Sequence, residues 1–83
     1  MKKINIIGRI VSTRYKSTSY YGNPKYFVHF EVKETKEIIW AETANNAACA
    51  YGINNSEFKT WCNITYHITR NGNYIVDYIS KLK

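Results

Sequence analysis

No acidic residue occurs in the first 25 positions of this 83-residue chain, and only six occur in the whole of it. Proline appears once, glycine four times and cysteine twice. There is no sustained apolar run of the length a membrane-spanning helix requires, and no low-complexity run or internal repeat. Each shortage excludes something. Cys49 and Cys62 are too few for a disulfide framework, and Met1-Lys2-Lys3 leads straight into a strand-like pattern with no signal-type segment. Free thiols in a cytoplasmic protein are therefore expected, and the sequons at Asn54 and Asn63 would carry no glycan. The acids Glu31, Glu34, Glu37, Glu42, Glu57 and Asp77 have no spacing that suggests a carboxylate dyad or a metal cluster. No glycine-rich phosphate loop and no nucleophile motif is present. Cys49, Cys62, His29 and His67 have the ligand types for zinc, but structural sites pair ligands through short spacings, and here none are paired. The expectation is a non-enzyme with no metal and no cofactor.

Positive charge is unevenly placed. Lys2, Lys3, Arg9, Arg14, Lys16 and Lys25 stand unopposed in residues 1–25, whereas residues 26–60 carry a net negative charge. The formal excess of +6 thus belongs to the first strand region and the loop after it. Such a field attracts polyanions, either nucleic acid or an acidic protein face. Aromatic residues make up 16% of the chain and eight of them are tyrosine. A domain this short has a modest core, so several of these rings are expected to remain partly exposed.

Period-two alternation marks most of the chain as strand. Residues 3–16 place Ile4, Ile6, Gly8 and Ile10 on one face, with Ile7, Arg9, Val11 and Thr13 on the other. Gly8 inside that strand marks a bend, a bulge or a close backbone approach. Residues 17–24 read as a loop with turn chemistry at Gly22-Asn23-Pro24. Residues 25–33 alternate cleanly, with Tyr26, Val28, Phe30 and Val32 on the core side and Phe27, His29, Glu31 and Lys33 outside. Residues 36–43 form a third strand, whose register is open because Ile38, Ile39 and Trp40 are consecutive. The period then changes. Ala44, Ala47, Ala48 and Tyr51 stand at helical spacing, with Thr43 as N-cap and Gly52 as the stop, so a short helix over 44–51 is expected. Residues 54–61 form a connector with room for one further helical turn. Residues 62–70 and 73–81 are strands joined at Asn71-Gly72, a type I′ hairpin signal.

The fold class is mainly β with one short helix, in the order β-β-β-α-β-β. The long first strand bent at Gly8, the helix over 44–51 and the hairpin at Asn71-Gly72 resemble the OB-fold, a five-stranded, partly open Greek-key barrel. An SH3-like barrel is the competing arrangement. In brevity, in Lys/Asn/Ile/Tyr richness, and in "YYGNPKYFVHFE" followed by "WAETANNAACAYGI", the chain resembles short proteins of bacteriophages and mobile elements of low-GC bacteria. That resemblance implies one of two roles: handling nucleic acid, or blocking a host defence or nucleic-acid enzyme in the anti-CRISPR or anti-restriction manner.

The OB-fold resemblance implies a ligand across strands two and three, flanked by the first and last hairpin loops. On this chain those places are the 15–25 loop, the outer face of 25–33, part of 36–43 and the Arg70-Asn71-Gly72-Asn73 turn. Arg14, Lys16, Lys25 and Arg70 are the candidates for phosphates. Tyr15, Tyr20, Tyr21 and Phe27 are the candidates for stacking on bases, each worth roughly 1–3 kcal/mol, and His29 can stack or hydrogen-bond beside them. Trp40 and Trp61 are expected as core or barrel-edge fillers, and His67 as an outer-face residue with no special task. The expected partner is single-stranded nucleic acid or an acidic host-protein surface, with no membrane. A homodimer through an exposed barrel edge or the tyrosine-rich loop is also open.

Overall fold

Alternation of apolar and polar residues translates directly into five strands. They are β1 (Ile4–Thr18), β2 (Pro24–Val32), β3 (Ile38–Thr43), β4 (Cys62–Ile68) and β5 (Tyr74–Lys81). The computed structural model describes residues 2–18, 20, 22–45 and 48–82, the side chains of residues 48 and 49 excepted. The strands close into a barrel in the order β1-β2-β3-β5-β4, with β4 returning to pair with β1. All pairings are antiparallel except β3 with β5, which run parallel and pair only through Glu42↔Ile75 and Thr43↔Val76. Closure gives every strand a neighbour on both sides, although the β3–β5 seam is short.

In β2, and in β1 as far as Ile10, the core faces fall where the alternation puts them. Val28, Phe30 and Val32 of β2 are buried, with Ile10, Ile39, Ile64, Val76 and Ile79 from the other strands. Ile4, Ile6, Tyr26 and Tyr74, partly buried, pack against this cluster. Gly8 resolves as a close approach. It is the residue at which β1 pairs with both Val32 of β2 and Cys62 of β4. A Cβ there would lie 2.5 Å from the carbonyl oxygen of Glu31, so only glycine lets the two backbones meet.

Three expectations need correction. The helix over 44–51 does not form. Two 3-10 segments, Ala48–Gly52 and Ser56–Lys59, take its place among the described residues. A stretch this short and asparagine-rich does not repay helix nucleation, whereas tight turns can follow the core surface. They set Ala50, Ile53 and Phe58 into the core, so the segment does fill the barrel interior, without helical geometry. Thr43, expected as an N-cap, is instead the fully buried last residue of β3, and its hydroxyl accepts a hydrogen bond from the Tyr26 amide at 3.0 Å. Of the four helix-face residues, Ala47 lies outside the described residues.

The second correction concerns the β4–β5 turn. Asn71 does not have positive φ, so the turn is not type I′; among the two central residues only Gly72 does, at 86°. The Gly72 amide donates to the Thr69 carbonyl at 2.9 Å and the Thr69 amide to Asn73 at 2.8 Å. This is the longer hairpin connection in which a glycine follows a turn as a bulge. The third is that β1 runs on to Thr18, paired with Pro24, where a loop over 17–24 is expected. Arg14, Tyr15 and Lys16 lie within the strand, as the span 3–16 has them, and Ser17 and Thr18 extend it. The thiol of Cys62 is free, as expected, and it is buried; the side chain of Cys49 lies outside the described residues.

Candidate functional site

A shift in the β1–β2 register decides which side chains share the outer face. Between Ile10 and Ser12 the ladder steps, so that Val11 has no partner across on β2. An inserted residue of this kind reverses the in-out parity of the residues that follow, here as far as Tyr15, after which a second shift at Lys16 intervenes. Thr13 therefore pairs with core residue Val28, and Ser12 and Arg14 turn outward beside His29 and Phe27. Unbroken alternation puts Thr13 outside and so fails there, whereas Val11, also expected outside, is indeed exposed.

Three rungs then cross β1, β2 and β3 on the outside of the barrel. They are Arg14–Phe27–Glu42, Ser12–His29–Trp40 and Arg9–Glu31–Ile38. Trp40 is 73% exposed. Its ring lies on that of His29, with centroids 4.4 Å apart and planes inclined by 33°. His29 Nδ1 shares a 2.9 Å hydrogen bond with the Ser12 hydroxyl, which fixes the imidazole from the far side. Trp40, expected as a core or barrel-edge filler, is not in the core. Ile39 takes the core position instead, and strand geometry sends its neighbour outward.

The first two rungs floor a groove of about 640 Å³, which opens where β3 and β5 separate. Gly72 and Asn73 of the β4–β5 turn and Tyr74 at the start of β5 form its opposite wall. Of the expected site residues, the structure gathers Arg14, Phe27 and His29 here, with Lys16 beside them, its ammonium 5.4 Å from the Phe27 ring centre. Tyr15 is not in the groove. It sits on the Tyr26 rung, edge-on to that ring at 5.7 Å, and shares a 2.8 Å hydrogen bond with the Thr18 hydroxyl. Arg70 is in the β4–β5 turn but does not line the groove, and Tyr20 is an exposed residue of the β1–β2 loop. Tyr21 lies outside the described residues.

Charge is more evenly matched than the linear order implies. Strand pairing sets acids from later strands against the basic first segment: Arg9 against Glu31 at 2.6 Å, Lys3 against Asp77 at 3.8 Å, and both Lys16 and Lys25 against Glu42. Arg14 makes no ion pair among the described residues. His67, expected to be without a task, holds Asp77 at 2.6 Å under partial burial. Among the described residues, Cys62 and Tyr66, neither of which lines the groove, are displaced from their ordinary values. Burial pushes the Cys62 thiol up to about 11, and burial, aided by Tyr74 and Glu37, raises Tyr66. No helix of the described residues is long and apolar enough to cross a membrane.

Compared with protein families, curated proteins and solved structures, the chain matches none of them. Its function is a matter for the groove itself.

Proposed function

We propose that this protein is an OB-fold-like barrel that binds single-stranded nucleic acid across the outer face of β1, β2 and β3. The observation that carries this reading is Trp40, an exposed indole braced against His29 in a groove that also holds Phe27 and Arg14. Burial in a small core would reward a tryptophan with its full apolar area. Holding it outside on a rigid ladder forgoes that gain and presents a flat platform instead. Bases stack on Trp40 and Phe27, while Arg14 follows the phosphates and Asn73 borders the opposite side. Stacking is indifferent to base identity, so sequence preference is weak. The strand order, with its parallel β3–β5 seam, supports the OB-like assignment over an SH3-like one.

The experiment is titration of labelled oligothymidylate, oligouridylate and duplex in a salt series. Single strands are expected to bind with log K falling linearly in log salt, because each neutralised phosphate releases counterions. Absence of binding to every probe at low salt would falsify the reading.

A second reading has one observation of its own. Glu42 lies in the groove, bonded to Lys16, and a carboxylate there opposes phosphate. An exposed tryptophan ringed by mixed charge also suits a protein partner, in the manner of an inhibitor docked on a host nucleic-acid enzyme. A stoichiometric complex from nuclease-treated host lysate, stable at salt that strips nucleic acid, would favour it.

A further inference from the structure

The third rung leads away from the groove to a second concentration of cations, around Trp61. Arg9 lies 5.2 Å from the centre of that indole, Lys36 5.3 Å and Lys33 5.8 Å. Three like charges around one ring repel one another, and the quadrupole of a single indole only partly offsets that. Arg9 is answered by Glu31. Lys33 and Lys36 make no ion pair among the described residues, although Glu34 and Glu37 belong to the same turn. Lys36 is held there at a cost in backbone conformation. It has φ of 63°, the left-handed region that glycine enters freely and a lysine rarely occupies. The turn is closed by the Lys36 amide on the Val32 carbonyl at 2.8 Å and the Val32 amide on Glu37 at 2.9 Å. Glycine would meet that geometry without strain. The chain keeps a side chain whose ammonium stands beside Trp61.

From this we infer a second phosphate-binding site, formed by Lys33, Lys36 and Arg9 around Trp61, for the backbone of a strand whose bases lie in the groove. The inference rests on the proposed function of the groove and extends it. The Arg14–Phe27–Glu42 and Arg9–Glu31–Ile38 rungs are four residues apart along β2, roughly 13 Å at strand spacing. A strand long enough to leave the groove along β2 therefore passes the Trp61 cluster. Phosphate there answers the two unpaired ammoniums, beside the partly buried indole. Binding thus has two stages, a short footprint confined to the groove and a longer one that reaches Trp61.

The chain has only two tryptophans, so each stage has its own fluorophore. Trp61→Phe leaves Trp40 as the sole indole, and Trp40→Phe leaves Trp61. Both are titrated to saturation with oligothymidylates of about four and about twelve nucleotides, a span within the site sizes of such barrels. The short probe is expected to quench Trp40 alone, and the long probe to quench both. In the otherwise unaltered protein, Lys33→Ala with Lys36→Ala removes exposed charges and no core group. That variant is expected to flatten the salt dependence for the long probe by a slope of about 1.4, two phosphates' worth for a single strand, and to leave the short probe unchanged. Quenching of Trp40 by both probes with Trp61 silent, or an unaltered slope in the double variant, overturns the second site while leaving the groove reading intact. If neither probe binds, the groove reading falls and the second site falls with it.

Discussion

Trp40 lies on His29 across the β2–β3 ladder, ring centroids 4.4 Å apart, and His29 in turn is held by Ser12 on β1. Three strands thus contribute one side chain each to a fixed aromatic platform. Because Trp40 is mostly exposed, its truncation removes little core contact. Trp40→Ala is expected to weaken binding of single-stranded oligonucleotides by roughly 5- to 150-fold, the worth of one stacked base at about 1–3 kcal/mol. Its urea midpoint should stay near that of the parent. Anisotropy titration beside equilibrium unfolding reads both, and a variant that binds as the parent does would remove Trp40 from the site.

How much of this was legible in the sequence depends on where the alternation was intact. β2 has no interior irregularity, and its buried set of Val28, Phe30 and Val32 follows from period two alone. In β1 the extra residue at Val11 leaves no local signal, since Ile10-Val11-Ser12 reads as ordinary strand. One unpaired residue turned Arg14 toward the groove and Tyr15 toward Tyr26, a division that no count along the chain supplies. Three consecutive apolar residues hid Trp40 in the same way, because either Ile39 or its neighbours could take the core. The pairing of Glu42 with Lys16 and Lys25 is a product of tertiary register, invisible in linear charge. The Trp61 cluster joins β1, the β2–β3 turn and the approach to β4, so nothing local announces it.

Glu42 is the group that sets the groove's charge. It accepts from Lys16 and stands 3.9 Å from Lys25, holding both cations on itself. Glu42→Gln keeps the shape and removes the competitor. Affinity for oligothymidylate at low salt should rise severalfold, and the salt slope should steepen by about 0.7 for each phosphate the released lysines take up. A fall in affinity would mean that Glu42 contacts the ligand directly, as the protein-partner reading has it.

Gly8 is fixed by space, since its φ is unexceptional. A Cβ would meet the Glu31 carbonyl oxygen at 2.5 Å, with Ile6 Cδ1 at 3.0 Å and Ile64 Cδ1 at 3.2 Å beyond it. The two side chains can give way, but the carbonyl belongs to the β1–β2 ladder. Gly8→Ala is expected to destabilise the barrel by about 1–3 kcal/mol, the usual scale of overpacking. For a domain of this size each kcal/mol lowers Tm by about 4–8 °C. An unchanged melting temperature would show that the strands can separate there without loss.

Lys36 gives the opposite sign. Its left-handed backbone costs a non-glycine residue about 1–2 kcal/mol. Lys36→Gly relieves that cost but loses some unfolded-state restriction, so a net gain of about 0.5–1 kcal/mol is expected in urea unfolding. The same variant should lose affinity for the long oligonucleotide. Stability and binding moving in opposite directions would set Lys36 apart from a residue that only closes its turn.

Cys62 offers a test of the core by pH alone. Its side chain is fully buried, Sγ donates to the Gly8 carbonyl at 3.3 Å, and burial raises the thiol from 9.0 to about 11. Below pH 9 the thiol is protonated in both folded and unfolded chains, and its contribution to stability is complete. Between pH 9 and about 11 the unfolded chain gives up this proton while the folded chain keeps it. The unfolded state then binds fewer protons, so stability falls as pH rises, by at most about 1.4 kcal/mol per pH unit, until the folded thiol also ionises. Tyrosines and lysines titrate over the same range in any variant, so the informative quantity is a difference. Cys62→Ala starts from a lower stability at pH 8, having lost the buried sulfur, but lacks this component of the alkaline decline. The gap between parent and variant is therefore expected to narrow by about 2 kcal/mol between pH 8 and pH 11 in urea titrations. A gap that stays constant across that range would mean the thiol ionises as freely in the barrel as in the unfolded chain, contrary to its burial where β1 and β4 meet.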